Sequence, residues 1–274
     1  MEAVIDSNFL RSPLLRAFLA RSPCNKAVLT DYSAMEAYKS SDPVAAMTAQ
    51  MEIVSAFPSQ VLVLKSTARV AGLRGRKAGL RRRLIDQDQT AHFSQLHSDL
   101  MLARAGDPAM QRAIDTYARE ARRQIEGVTN DMLGLVSGIL DMVQVYTPAE
   151  LKRLRKGESL DDAMIQKFAD HSMALAIKLH EAHPNSHGPP KFEEMVNTFL
   201  FRSAVCMQIM VLRWAETGRT QRKPEELRND VIDLNFVSFA TFFDRLLTDD
   251  QAAEDLYYEA KVALGAIVPN GLIP

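Results

Sequence analysis

The chain has 274 residues, 47% hydrophobic and 24% charged, a balance typical of soluble globular proteins and ample for a sizeable core. A net charge of −1 excludes a global electrostatic attraction to nucleic acid or membrane, so any such contact must come from a local patch. Cys24 and Cys206 show no metal-ligand spacing and fit buried thiols in a reducing cytoplasm.

The amino terminus carries Glu2 and Asp6 and no basic stretch leading into an apolar one, so no secretory signal is expected. The longest apolar runs, Val205 to Trp214 and Phe236 to Phe243, are shorter than the about 20 residues of a membrane span. A cytoplasmic protein with no membrane contact is the expectation.

Ala3 to Asp6 reads as a short buried strand ending in a carboxylate. Ser12-Pro13 caps a helix with Leu14, Leu15, Phe18 and Leu19 on one side. Ala27 to Thr30 is a second strand, and Asp31-Tyr32-Ser33 caps the helix that carries Glu36. Asp42-Pro43 starts a further helix, and Gln60 to Lys65 is a third strand. Strand and helix alternate here as in a parallel α/β sheet with right-handed crossovers.

After Thr67 the character changes. Residues 69–83 hold seven Arg or Lys and no acid. From Leu84 to Leu227 only helices are predicted: about Asp86 to Ala105, Pro108 to Val145, Thr147 onward with Thr and Glu150 as a capping box, Asp161 to His180, and Lys191 to Thr217. The best loop is His183 to Pro190. Pro224 opens a helix through Asp230 and Asp233 to about Phe243. Leu246 to Thr248 is a short strand, Gln251 to Leu264 a helix, and Gly265 to Val268 a last edge strand. The α/β pattern of residues 1–67 thus resumes at 223–274, and 68–222 reads as a helical insertion.

Four acids occupy comparable places in this pattern. Asp6 ends the first strand and Asp250 follows the last. Glu36 lies in the helix after the second strand, and Asp230 in the first turns of the helix that feeds the last strand. Ligands of open parallel sheets sit outside the carboxyl ends of the strands. Clustered carboxylates need a counter-charge, and oxygen donors suit Mg²⁺ or Mn²⁺. Asp233 shares a helical face with Asp230 and is a further or alternative ligand.

Val4-Ile5-Asp6-Ser7-Asn8, Glu36, Asn229-Asp230 and Thr248-x-Asp250 together resemble the PIN (PilT N-terminus) domain, over roughly residues 1–67 and 223–268. The resemblance implies a three-layer α/β/α fold with four or five parallel strands, interrupted here by the helical insertion. It implies a divalent-metal-dependent nuclease, most often a ribonuclease, similar to bacterial toxins kept in check by a partner protein. Asp6, Glu36, Asp230 and Asp250 would be the catalytic metal ligands, with Asn8 and Thr248 as polar neighbours that orient carboxylates or water.

The basic run reads either as a solvated surface or as an arm that contacts RNA phosphates, through Arg74, Arg76, Lys77, Arg81 and Arg82. His180 and His183 have a spacing that would permit shared metal ligation. The long row of methionines reads as core filler, and Trp214 as buried. Two other readings stand beside the ribonuclease: a non-catalytic PIN-like protein whose helical insertion binds a partner, and a structure-specific DNA nuclease. Self-association is left open.

Overall fold

A computed structural model describes residues 1–38, 40–123, 145–156, 158, 161–217 and 224–268. They form a helix-rich mixed α/β protein with a four-stranded, all-parallel sheet. The chain divides into two compact units. The first comprises Met1–Thr67, Arg81–Val128 and Phe242–Glu254, and the second Ala68–Leu80, Thr129–Thr241 and Asp255–Pro274. Residues 81–123 therefore lie with the sheet, although the sequence pattern assigns them to the insertion.

The first unit is built on β1 (Glu2–Ile5), β2 (Lys26–Leu29), β3 (Val61–Val63) and β4 (Arg245–Leu247), in the order β3-β2-β1-β4. Register is fixed by Val4 opposite Val28, Val28 opposite Leu62, and Ile5 opposite Leu247. Apolar residues occupy consecutive positions of β1, and Ala3, Val4 and Ile5 are all fully buried, as expected of a parallel strand enclosed on both faces. One face, with Ala3, Ile5, Ala27, Leu29 and Val61, shares a core with Leu15, Leu19, Met47, Met51, Val54, Phe93, Leu100 and Ile114. Those side chains come from α1 (Pro13–Arg21), α3 (Pro43–Ser55), α7 (Phe93–Arg104) and α8, helical over 108–123. Burial of each large side chain there is worth about 1.5–3 kcal/mol.

Three local devices set the strand ends. Ser12 accepts from the Leu14 amide and Asp42 from the Ala45 amide, so each caps a helix that opens with proline. At the amino edge of the sheet, the buried Gln60 amide donates to the carbonyls of Leu19 (3.0 Å), Ser22 (3.0 Å) and Asn25 (2.7 Å), tying α1 to the start of β2. At the carboxyl edge, α2 (Asp31–Tyr38) begins with a reciprocal pair: Ser33 Oγ accepts from the Thr30 amide and Thr30 Oγ1 from the Ser33 amide.

The predicted helix from Asp86 divides at His92 into α6 (Gln87–Ala91) and α7. Asp86 caps α6. One expected element and one expected burial differ outright. Gly265 to Ile267 is the last turn of a helix, α14 (Gln251–Ile267), not an edge strand; no strand neighbour is offered there, and the apolar spacing of the preceding helix simply continues. Cys24 is exposed rather than buried, whereas Cys206 is buried.

In the second unit, α9 (Pro148–Arg155), α10 (Asp162–Ala182), α12 (Phe199–Glu216) and α13 (Pro224–Ala240) pack together, α12 against the other three. The helices α4 (Thr67–Ala71), α5 (Leu80–Leu84) and α11 (Phe192–Met195) are short. The expected single helix from Lys191 breaks at Val196 to Thr198, where Thr198 Oγ1 caps α12 through the Phe201 amide at 3.2 Å. Every residue of α12 from Phe199 to Leu212 is buried. Met164, Met195, Met207 and Met210 are buried too, whereas Trp214 is only half-buried. Thr147 and Glu150 form the expected capping box. Among the described residues, no helix is long and apolar enough to cross a membrane.

Candidate functional site at the carboxyl edge of the sheet

The strand order creates one place where ligand binding is favoured. From β1 the chain moves outward to β2 and β3, then returns to the other side of β1 as β4. The direction of winding reverses at β1, and a crevice is expected there at the carboxyl ends of the strands. Asp6 ends β1, and Thr248 to Asp250 follow β4.

Asp6 is 3% exposed. Its amide extends the ladder to the Leu247 carbonyl (3.0 Å). Its carboxyl group accepts from Thr248 Oγ1 at 2.6 Å on one oxygen and from Ser7 Oγ at 3.3 Å on the other. The Asp250 amide donates to the same Thr248 hydroxyl oxygen at 3.0 Å. Asp6 and Asp250, 244 positions apart, are thus joined by one threonine. Asp250 Oδ1 accepts from the amides of Ala252 (2.7 Å) and Ala253 (3.1 Å) and caps α14. Asn8 Oδ1 accepts the Asp249 amide at 3.2 Å and pins the β4–α14 turn to the segment after β1. Asp249 is exposed.

Sequence reasoning missed one acid of the same edge. Asp31 lies two residues after β2, where Asp6 lies one after β1. Thr67, after β3, donates to it twice, through its amide (2.8 Å) and its hydroxyl (2.9 Å). Burial pushes the Asp31 carboxyl up, against the lowering effect of the two Thr67 bonds. The signal was present, since an acid directly after a buried strand is the pattern that singles out Asp6. It is hidden because Asp also suits a helix start.

The other expected residues are distributed as follows. Glu36 lies in α2, and its side chain is outside the described set. Asp230 and Asp233 are half-buried in α13 of the second unit. Arg74, Arg76 and Lys77 also belong to the second unit and are exposed. There Gly75 lies so close to the Glu194 carbonyl that a Cβ would stand 1.7 Å from its oxygen, and Arg76 pairs with Glu194 at 3.9 Å. Arg82 is exposed in the first unit.

Arg81 has a defined and different place. Its guanidinium pairs with Asp244 at 3.0 Å and Glu2 at 3.5 Å, and lies 5.9 Å from the centre of the Phe243 ring. Glu2 starts β1 and Asp244 precedes β4, so Arg81 serves the amino edge. At about 3.3 Å per residue, that edge is about 13 Å along β1 from Asp6.

His180 and His183 do not offer a metal pair. His180 is buried, with Nδ1 2.9 Å from Ser186 Oγ and Nε2 3.2 Å from Thr198 Oγ1, and His183 Nδ1 accepts the Asn185 amide at 3.2 Å. Burial lowers the basicity of both rings. Among the described residues, no group of three or more His, Cys, Asp or Glu is gathered as a metal site.

Comparison of the chain with protein-family models, curated proteins and solved structures finds no match. Fold and side-chain geometry therefore carry the functional reading.

Proposed function

We propose that the chain is a PIN-like, divalent-metal-dependent nuclease that hydrolyses phosphodiester bonds, with RNA as substrate. The observation that carries this reading is the Asp6–Thr248–Asp250 linkage at the point where the winding of the sheet reverses. A buried carboxylate there, oriented by hydroxyls and joined to a second acid, is costly unless it serves a charge.

The donor chemistry suits Mg²⁺ or Mn²⁺. A carboxylate offers about four acceptor sites, and the Thr248 and Ser7 hydroxyls fix how the Asp6 oxygens would be presented to a cation. Asp250 has a second oxygen besides the one that caps α14. Glu36, Asp230 and Asp233 are the remaining acids that the family resemblance implies. A bound cation would supply a Lewis acid and a more acidic water. Thr248 and Ser7 hold the Asp6 carboxylate in one orientation, and Asn8 fixes the turn that carries Asp250. Arg74, Arg76, Lys77 and Arg82 are the basic groups proposed to meet RNA phosphates. The three-layer arrangement, the helical insertion as a regulatory element, an inhibitory protein partner and a cytoplasmic site of action belong to the same proposal.

The test is cleavage of single-stranded RNA and DNA by the full chain and by Asp6→Asn, each with Mg²⁺, Mn²⁺ or EDTA. Wild-type cleavage of RNA that needs the cation and is lost in the variant is expected. Equal background cleavage by both proteins would overturn the enzyme reading, and preference for DNA would favour a structure-specific DNA nuclease. One observation favours a non-catalytic interaction protein instead: Asp250 Oδ1 is committed to two helix amides. That reading predicts no rise in melting temperature with Mn²⁺, whereas a bound ion at a hundred times its dissociation constant adds about 2.7 kcal/mol.

A further inference from the structure

The second unit contains a cavity of about 690 Å³, within the range of small-molecule sites. Its walls come from Ile165 and Phe168 of α10, Ile209 and Leu212 of α12, and Val262 and Ala263 of α14. It opens beside Tyr258 and Val262, which are 51% and 73% exposed. These apolar side chains are spread around a concave surface, so a compact guest would bury them together.

The polar groups at the cavity are Glu158, Arg213, Glu216 and Glu259. Arg213 is matched: Nε and Nη2 each donate to a different Glu259 oxygen at 2.9 Å. Glu158 is matched by Arg153 at 3.3 Å and Lys156 at 3.8 Å. Glu216 forms no ion pair among the described residues, although it is half-buried. Burial and the neighbouring Glu259 push its carboxyl up. One carboxylate at the edge of an apolar cavity thus has no ion-pair partner among the described residues, its cationic neighbour Arg213 being paired with Glu259.

We propose that this cavity binds a small amphipathic amine, with its apolar body between α10, α12 and α14 and its ammonium against Glu216. A fatty acid of the same size would bring its charge towards the one carboxylate that has no ion-pair partner among the described residues, and a neutral alcohol would not match its charge. The site lies wholly within the second unit and is independent of the nuclease reading.

The probes are octylamine, 1-octanol and octanoate, titrated calorimetrically into the full-length chain at neutral pH. Octylamine binds saturably with unit stoichiometry, at least tenfold tighter than octanol, and octanoate binds weakest. Glu216→Gln removes the tenfold preference while octanol affinity stays unchanged. Ala263→Phe fills the cavity and weakens both ligands. Ala266→Leu, at the same wall, replaces it if circular dichroism shows that the first variant does not fold. Absence of saturable octylamine binding, an intact amine preference in Glu216→Gln, or undiminished binding by a folded cavity-filling variant overturns the proposal.

Discussion

The hydrogen bond from Thr248 to Asp6 allows a quantitative test of how the two ends of the chain depend on one another. Thr248→Val keeps the shape of the side chain and removes the hydroxyl. Asp6 is 3% exposed and would keep only the 3.3 Å bond from Ser7 among its hydroxyl donors described above. A hydrogen bond to a charged group contributes about 1.5–3 kcal/mol. The Asp250 amide loses its acceptor as well, at about 1 kcal/mol. Local stability of the β1–β4 pair should therefore fall by about 3 kcal/mol. Native-state hydrogen exchange reads this at the Asp6 amide, which donates to Leu247 across the two strands. Its exchange should quicken by roughly a hundredfold, since 1.4 kcal/mol is a factor of ten. In an Asp6→Asn background the partner is neutral, so the same change should cost about 1–2 kcal/mol less. Thr248→Ser should stay near wild type. If Thr248→Val leaves exchange unchanged, or costs the same in both backgrounds, the carboxylate is not held by this hydroxyl and the proposed site loses its basis.

Asp31 gives a pH prediction. Burial raises its folded carboxyl above the ordinary value, so the folded state holds the proton more tightly. Stability from this group is fully present below the unfolded value, about 3.9, and is lost as pH rises through the folded one. Asp31→Asn should therefore gain on wild type in urea denaturation as pH rises from 4 to 7, and a difference that does not vary with pH refutes this. Arg81→Ala should cost only about 0.5–1 kcal/mol, because its ion pairs are partly exposed, and should leave RNA affinity unchanged. A severalfold loss of RNA binding would contradict its assignment to the amino edge. Gly75→Ala should be severe, by about 3 kcal/mol or more, since the new methyl would meet a backbone carbonyl at 1.7 Å; wild-type thermal stability in that variant would refute the close approach.

The strands were legible because each is a short run of apolar residues bounded by a turn or cap, and because such runs alternate with amphipathic helices. Their parallel pairing follows, since every connection is long enough to cross the sheet. Helix starts were legible where side-chain chemistry fixes them, at Ser12, Asp42, Thr147 and Asp161. Helix ends were less so. Gly265 looks like a stop, yet it sits inside α14, where a side chain would meet nothing within 4 Å, and the helix simply tolerates it. The division into units was not legible either. Local pattern separates strands from helices, but it does not say which helices cover a sheet: Phe93, Leu100 and Ile114 lie in a helical stretch and still complete the sheet's core.

The same distinction explains the uneven reading of the site. Asp6, Thr248 and Asp250 were legible because adjacent parallel strands in register bring their carboxyl ends together, so position relative to a strand end is enough. Asp31 obeys that rule and was obscured by its second role as the first residue of α2. Arg81 shows the rule's complement. A basic run that follows β3 in sequence reads as bound for the carboxyl edge, but Asp244 and Glu2 draw Arg81 to the opposite one, through contacts 163 and 79 positions away. Strand topology can be inferred from order alone, whereas the destination of a long charged side chain is set by whichever opposite charge the fold brings near it. The carboxylates that strand ends fix are for that reason the ground on which the proposed function rests.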